Sequence, residues 1–208
     1  MRKNQIIINI LTLVFLCFSV LVLNKCTKRE IKNADSRGTH IICFGDSITF
    51  GYGVAPRESY PLVLAKMVSQ PVINAGIDGD TSTEALNRLE ADVLSRDPRL
   101  VVIEFGGNDF LRKVPLGLTV NNIKEMVEKI QARGAMVAIT DISAGILMKE
   151  YRSPYWKIAK EKGAIFIPSV MVGIITNPQM KSDFFHPNSN GYKLIAERVF
   201  RAIKPYLK

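Results

Sequence analysis

Five short apolar runs, each followed by a stretch with helical spacing, constrain this chain more than any other feature. They are His40-Ile41-Ile42-Cys43-Phe44, Val72-Ile73-Asn74, Leu100 to Phe105, Ala135 to Thr140, and Ala164 to Ile167. The runs are continuous rather than alternating. Strands of that kind are buried on both faces of a parallel sheet. The intervening patterns are helical. Ser59-Tyr60-Pro61 opens one that carries Leu62, Ala65 and Met67-Val68. Thr81-Ser82-Thr83-Glu84 is a capping box ahead of Leu86, Leu89 and Val93. Ile123, Val127 and Ile130 form the next stripe, stopped by Gly134. Ser153-Pro154 reads as the start of another helix ending at Gly163, and Tyr192, Ile195, Val199 and Ile203 form the last stripe. Such alternation predicts one α/β domain, a three-layer α/β/α sandwich on a five-stranded parallel sheet. Ligands in such folds bind beyond the carboxyl ends of the strands.

The loops at those ends carry the unusual residues. After the first run comes Gly45-Asp46-Ser47, which places a serine where a nucleophile or a turn serine sits. Thr49 stands where the Gly-x-Ser-x-Gly elbow needs its second glycine. After the second comes Asn74-Ala75-Gly76-Ile77-Asp78-Gly79-Asp80-Thr81. Gly76 reads as a turn glycine. Gly79, just before the capped helix, either does the same or leaves its N–H free to face an anion. After the third comes Gly106-Gly107-Asn108-Asp109, where Asn108 offers an amide donor or ties its own loop. Asp183-Phe184-Phe185-His186-Pro187 stands near the C-terminus. An Asp three residues before a His can share one side of a helical turn and fix the imidazole tautomer. The chain has two histidines, and His40 begins the first strand, at the wrong end of the sheet. His186 is therefore either the neutral-pH base or a helix-capping histidine. Asp183 and His186 have no further histidine or cysteine pair to complete a metal site. Phosphate-binding glycine loops are absent, and Cys43 reads as a core residue.

Taken in order, Gly-Asp-Ser, Asn-x-Gly-x-x-Gly-Asp-Thr, Gly-Gly-Asn-Asp and Asp-x-x-His-Pro resemble the SGNH hydrolases, the GDSL esterase/lipase family, over about residues 40–206. Gly-Asp-Thr-Ser at 79–82 and Gly-Gly-Asn-Asp-Phe-Leu-Arg at 106–112 are similar to its bacterial thioesterase, arylesterase and lysophospholipase subfamily. The resemblance implies a flavodoxin-like fold and no cofactor or metal. It implies Ser47 as nucleophile, His186 with Asp183 as base pair, and Gly79 and Asn108 as oxyanion donors beside the Ser47 N–H. Phe184-Phe185 and Ile48-Thr49 depart from the usual pairs at those places and reshape the expected pocket. Phe110, Leu111 and Val114, with Leu147, Met148, Tyr151, Tyr155 and Trp156, are candidate acyl-pocket residues or core. The expected reaction is hydrolysis of small acyl esters, thioesters or lysolipids through an acyl-enzyme. The alternatives are an O-acetyl esterase on carbohydrate or cell-wall polymer, and a membrane-tethered binding module with a relict site.

The N-terminus reads separately. Residues 6–23 are apolar and uncharged, with Arg2 and Lys3 before them and Lys25, Lys28 and Arg29 after. Eighteen residues in a helix span roughly 27 Å, close to a bilayer core. Residues 1–26 are expected to be an uncleaved signal anchor, against a cleaved signal peptide or a lipoprotein at Cys26. The basic start favours an N-terminus inside, with the domain in the periplasm or cell exterior. Residues 27–38 read as a polar linker and 39–208 as the hydrolase domain. The formal charge of +9 follows this division. Residues 1–40 carry seven Lys/Arg and two Asp/Glu, leaving +4 for the rest. No aromatic–basic interleaving points to nucleic acid.

Overall fold

The computed structural model describes residues 30–144 and 147–207. The segment 6–23 lies outside them. Among the described residues no helix is long and apolar enough to cross a membrane. Ile31–Lys208 form one compact unit.

The sheet has five parallel strands, β1 (His40–Gly45), β2 (Val72–Gly76), β3 (Pro98–Glu104), β4 (Met136–Thr140) and β5 (Ile165–Ile167), in the order β2-β1-β3-β4-β5. The helices are α1 (Ser47–Phe50), α2 (Tyr60–Leu64), α3 (Ser82–Asp92), α4 (Gly107–Leu111), α5 (Leu116–Ala132), α6 (Lys149–Glu161) and α7 (Ser189–Ile203). Strand side chains alternate between two cores. Ile42, Phe44, Val101, Ile103, Val137 and Ile139 pack with α3, α5 and α6. Ile41, Cys43, Leu100, Val102, Met136 and Ala138 pack with α2 and α7. Both faces are covered, so a period of two leaves no polar position and the runs read as continuous.

Three expectations shift. α6 begins at Lys149, after Met148 in a left-handed conformation (φ 53°), so Ser153-Pro154 lies inside the helix rather than at its start. Pro154 lacks the N–H that would bond the Glu150 carbonyl. α2 stops at Leu64, and tighter turns such as Met67 N–H to the Leu64 carbonyl (2.8 Å) complete the pattern. Residues 31–38, expected to be part of a linker, are packed against the domain. Ile31 is buried in the second core, Lys32 N–H donates to the Gly163 carbonyl (2.9 Å), and the Asn33 amide donates to the Gln131 and Ala135 carbonyls (2.9 Å each).

The chain leaves β1 toward β2 and then returns past β1 to β3. The crevice between the ends of β1 and β3 is the switch point, where ligands of such sheets bind. The Gly-Asp-Ser and Gly-Gly-Asn-Asp loops flank it.

Candidate active site

Ser47 opens α1 directly after β1. Asp46 caps that turn, its Oδ1 accepting from the Ile48 N–H (3.1 Å). This holds the nearly buried Ser47 (8% exposed) at the sheet edge. His186 arrives from a loop rather than the helical turn its spacing suggested. A bridge between Lys181 and Pro187 closes that loop, and Asn188 caps α7 behind it, accepting from the N–H groups of Asn190 (3.0 Å) and Gly191 (3.2 Å). Gly191 permits this closure, since a Cβ there would collide with the Met180 carbonyl. The loop delivers His186 Nε2 to 3.0 Å from Ser47 Oγ. On the other side of the ring, Nδ1 lies 2.8 Å from Asp183 Oδ2. Asp183 Oδ1 also accepts from the backbone N–H groups of Phe185 and His186 (2.8 Å each). Burial works to raise the Asp183 carboxyl, but these backbone bonds and the imidazole outweigh it and hold it below the usual carboxylate range. Asp183 is thus an anion at neutral pH, placed to accept a proton carried on Nδ1.

The Tyr52 ring lies over His186, centroids 4.5 Å apart. The Tyr192 hydroxyl on α7 donates to the Tyr52 carbonyl (3.0 Å), which ties the segment after Ser47 to the helix after His186.

Ser47, Gly79 and Asn108 follow β1, β2 and β3 at the carboxyl edge of the sheet. Gly79 has φ 82°, a conformation that disfavours any side chain. Arg112 fixes it by donating to its carbonyl (2.7 Å). Among the described residues the Ser47 and Gly79 N–H groups have no hydrogen-bond acceptor. The Asn108 amide donates to the Asp80 carbonyl (3.0 Å) and, at 3.3 Å, to Asp46 Oδ2, so it spans the first two loops. Asp109, fully buried, accepts from Ser82 N–H (2.9 Å), Ser82 Oγ (2.5 Å) and Thr119 Oγ1 (2.9 Å), locking α4 to α3. Arg88 joins Asp80 (2.6 Å) to the Gly45 and Ala75 carbonyls.

A cavity of about 280 Å³ opens from Ser47 and His186. Phe110, Leu111, Leu147 and Met148 line it as expected, and Ile142, Met171, Ile175, Phe184 and Phe185 join them. Val114 does not. Lys113 takes a left-handed turn (φ 58°) and Val114 N–H closes onto the Asp109 carbonyl (2.8 Å), which carries the side chain away. Tyr151 and Tyr155 belong to the core, and Trp156 faces solvent. Cys43 is buried, its thiol pushed up to about 12 by that burial, and His40 stands at the far end of the sheet. Among the described residues no group of three or more His, Cys, Asp or Glu side chains could hold a metal ion.

A profile of the GDSL-like lipase/acylhydrolase family matches residues 43–194, from β1 into α7. The chain belongs to that family. Among similar proteins is the thioesterase 1/protease 1/lysophospholipase L1 of Escherichia coli, 31% identical over 79% of this chain and 83% of that one. The esterase TesA of Pseudomonas aeruginosa is 28% identical over 90% and 98%. The crystal structure of the psychrotrophic esterase EstA from Pseudoalteromonas sp. superposes with a TM-score of 0.72 at 30% identity, over 81% and 98%. This GDSL-family chain is a serine ester hydrolase with the three-layer fold. Sequence reasoning did not single out Asp46, Tyr52, Arg88, Glu104 or Arg112 at its site. Asp46 and Arg112 carried a signal, as members of the Gly-Asp-Ser and Gly-Gly-Asn-Asp-Phe-Leu-Arg motifs.

Proposed function

We propose that Ser47 is the nucleophile, His186 its general base and Asp183 the orienting carboxylate. The Ser47 and Gly79 N–H groups and the Asn108 amide form the oxyanion hole. The contact between Ser47 Oγ and His186 Nε2 at 3.0 Å, opening on an apolar cavity, carries this reading. As the serine oxygen attacks the acyl carbonyl, its proton passes to His186 Nε2 and the carbonyl π electrons move onto oxygen. The three donors receive that charge. The imidazolium then gives its proton to the leaving alcohol or thiol as the C–O or C–S bond breaks. Water, deprotonated by His186, repeats the steps on the acyl-enzyme and frees the acid.

The substrates are short-to-medium acyl esters and thioesters, lysophospholipids included. An apolar wall such as Ile142, Met171 and Phe185 gains from burying methylenes, at about 0.8 kcal/mol each. The domain is held at a membrane by residues 6–23 and faces the periplasm or cell exterior.

The test is a series of p-nitrophenyl and thioesters of rising chain length on the full chain in detergent. kcat/KM should climb from acetyl to medium chains. Ser47→Ala should abolish turnover and labelling by a fluorophosphonate. Asn108→Ala should lower kcat by ~10²–10³, the usual cost of one oxyanion donor. A preference for acetyl alone, or full kcat in Asn108→Ala, contradicts the reading.

A further inference from the structure

Beneath the nucleophile lie two buried carboxyls that the reaction above does not use. Asp46 follows β1 and Glu104 ends β3, where the register sets Glu104 beside Gly45. The Asp46 N–H donates to the Glu104 carbonyl (3.2 Å), and their exposures are 2% and 5%. The register and the Asp46 N–H bond bring the two carboxyls side by side, within reach of a shared hydrogen bond. Carboxylates are acceptors only, so a bond between them would require a proton on one.

The neighbours say which one. Asp46 is surrounded by donors, the Ile48 N–H on Oδ1 and the Asn108 amide on Oδ2. This is an environment for an anion. On Glu104 the donors reach one oxygen, Oε2, which accepts from Thr49 Oγ1 (3.0 Å), whose oxygen also contacts the Tyr60 hydroxyl (3.2 Å), and the Asp46 N–H acts on the same carboxyl group. The nearby cation, Arg88, has its ion pairs with Asp80 and Asp92. Two charges here would face each other at the nearly buried floor of the cavity, with His186 the facing group that could offset them and Arg88 already paired.

We propose that Asp46 and Glu104 share a single proton, carried by Glu104, and that Glu104 is thereby a positioning residue for the Asn108 oxyanion donor. Asp46 Oδ2 holds the Asn108 amide in the resting enzyme. When the oxyanion forms, the same amide hydrogen must turn to it. A fully charged pair would grip that hydrogen and repel the new charge. The Glu104 proton draws density from Asp46 and leaves the bond to Asn108 long, at 3.3 Å, and readily exchanged. Thr49 keeps the Glu104 carboxyl in place, and this is where the departure from the usual serine retains its hydroxyl. Burial, the Asp46 charge and the bond to Asp46 all push the Glu104 carboxyl well above the usual range, and burial pushes Asp46 up to about 6. Both directions agree with a singly protonated pair at neutral pH.

The inference rests on the reading of Asn108 as an oxyanion donor. Its test uses the full chain with Glu104→Gln, which supplies a neutral donor, and Glu104→Leu, which supplies none. Glu104→Gln should lower kcat by no more than a few-fold. Glu104→Leu should lower it roughly 10- to 100-fold with KM little changed, less than loss of the donor itself. At neutral pH the infrared difference between wild type and Glu104→Gln should contain the carbonyl band of a protonated carboxylic acid. Equal damage in both variants, full kcat in Glu104→Leu, or absence of that band would each overturn the proposal. Should Glu104→Leu not fold, the glutamine variant and the infrared band decide. Full kcat in Asn108→Ala fails the underlying reading instead, and leaves the band in place.

Discussion

Asp46 is where side-chain chemistry bears on stability. Its carboxyl is raised by burial from the usual 3.8 to about 6. Below pH 4 the folded and unfolded chains both hold this proton. Between pH 4 and 6 the folded chain holds it more tightly, so stability falls as pH rises. Asp46→Asn removes the titrating group. The difference in melting temperature, wild type minus Asp46→Asn, should therefore shrink across that window, and a constant difference would contradict the assignment. Ser47, Asn108 and Asp183 were legible because their loops are distinctive, and His186 because the chain has only two histidines. Glu104 was not, because it reads as the last residue of an apolar strand. Only the register of β1 against β3 sets it beside Asp46.

At the level of single elements, the strands were legible to within a few residues, since covered faces demand apolar runs. Caps were legible where the side chain itself makes the bond. The Thr81 box forms as read, with Thr81 N–H donating to Glu84 Oε2 (2.8 Å) and Thr81 Oγ1 accepting from the Glu84 N–H (3.4 Å). The Thr81 hydroxyl also donates to Glu84 Oε2 (2.9 Å), and the Thr81 N–H bond and this one are the first causes of the lowered Glu84 carboxyl. Thr81→Ala should cost about 1 kcal/mol and lower the melting temperature by roughly 2–4 °C, measurable by calorimetry. The start of α6 was misread because Ser-Pro usually marks a first turn. Here packing of Tyr151 and Tyr155 into the first core carries the helix through its proline. Neither the short α4 nor the packed segment 31–38 has a periodic pattern, and both are held by contacts distant in sequence, such as Asn33 with Gln131 and Ala135.

For the whole molecule, the proposed anchoring has a direct test. The full chain should stay with membranes through an alkaline carbonate wash and be released by detergent. A soluble product lacking residues 1–26 would show cleavage instead. The domain has a further property that follows from where its parts lie in the chain. Ser47 and His186 are 139 positions apart, and the loop bearing His186 is pinned by α7, the last long helix. A chain still being made has Ser47 early and His186 late. With the proposed roles for these residues, the site is incomplete until the final helix docks, and turnover should begin only then.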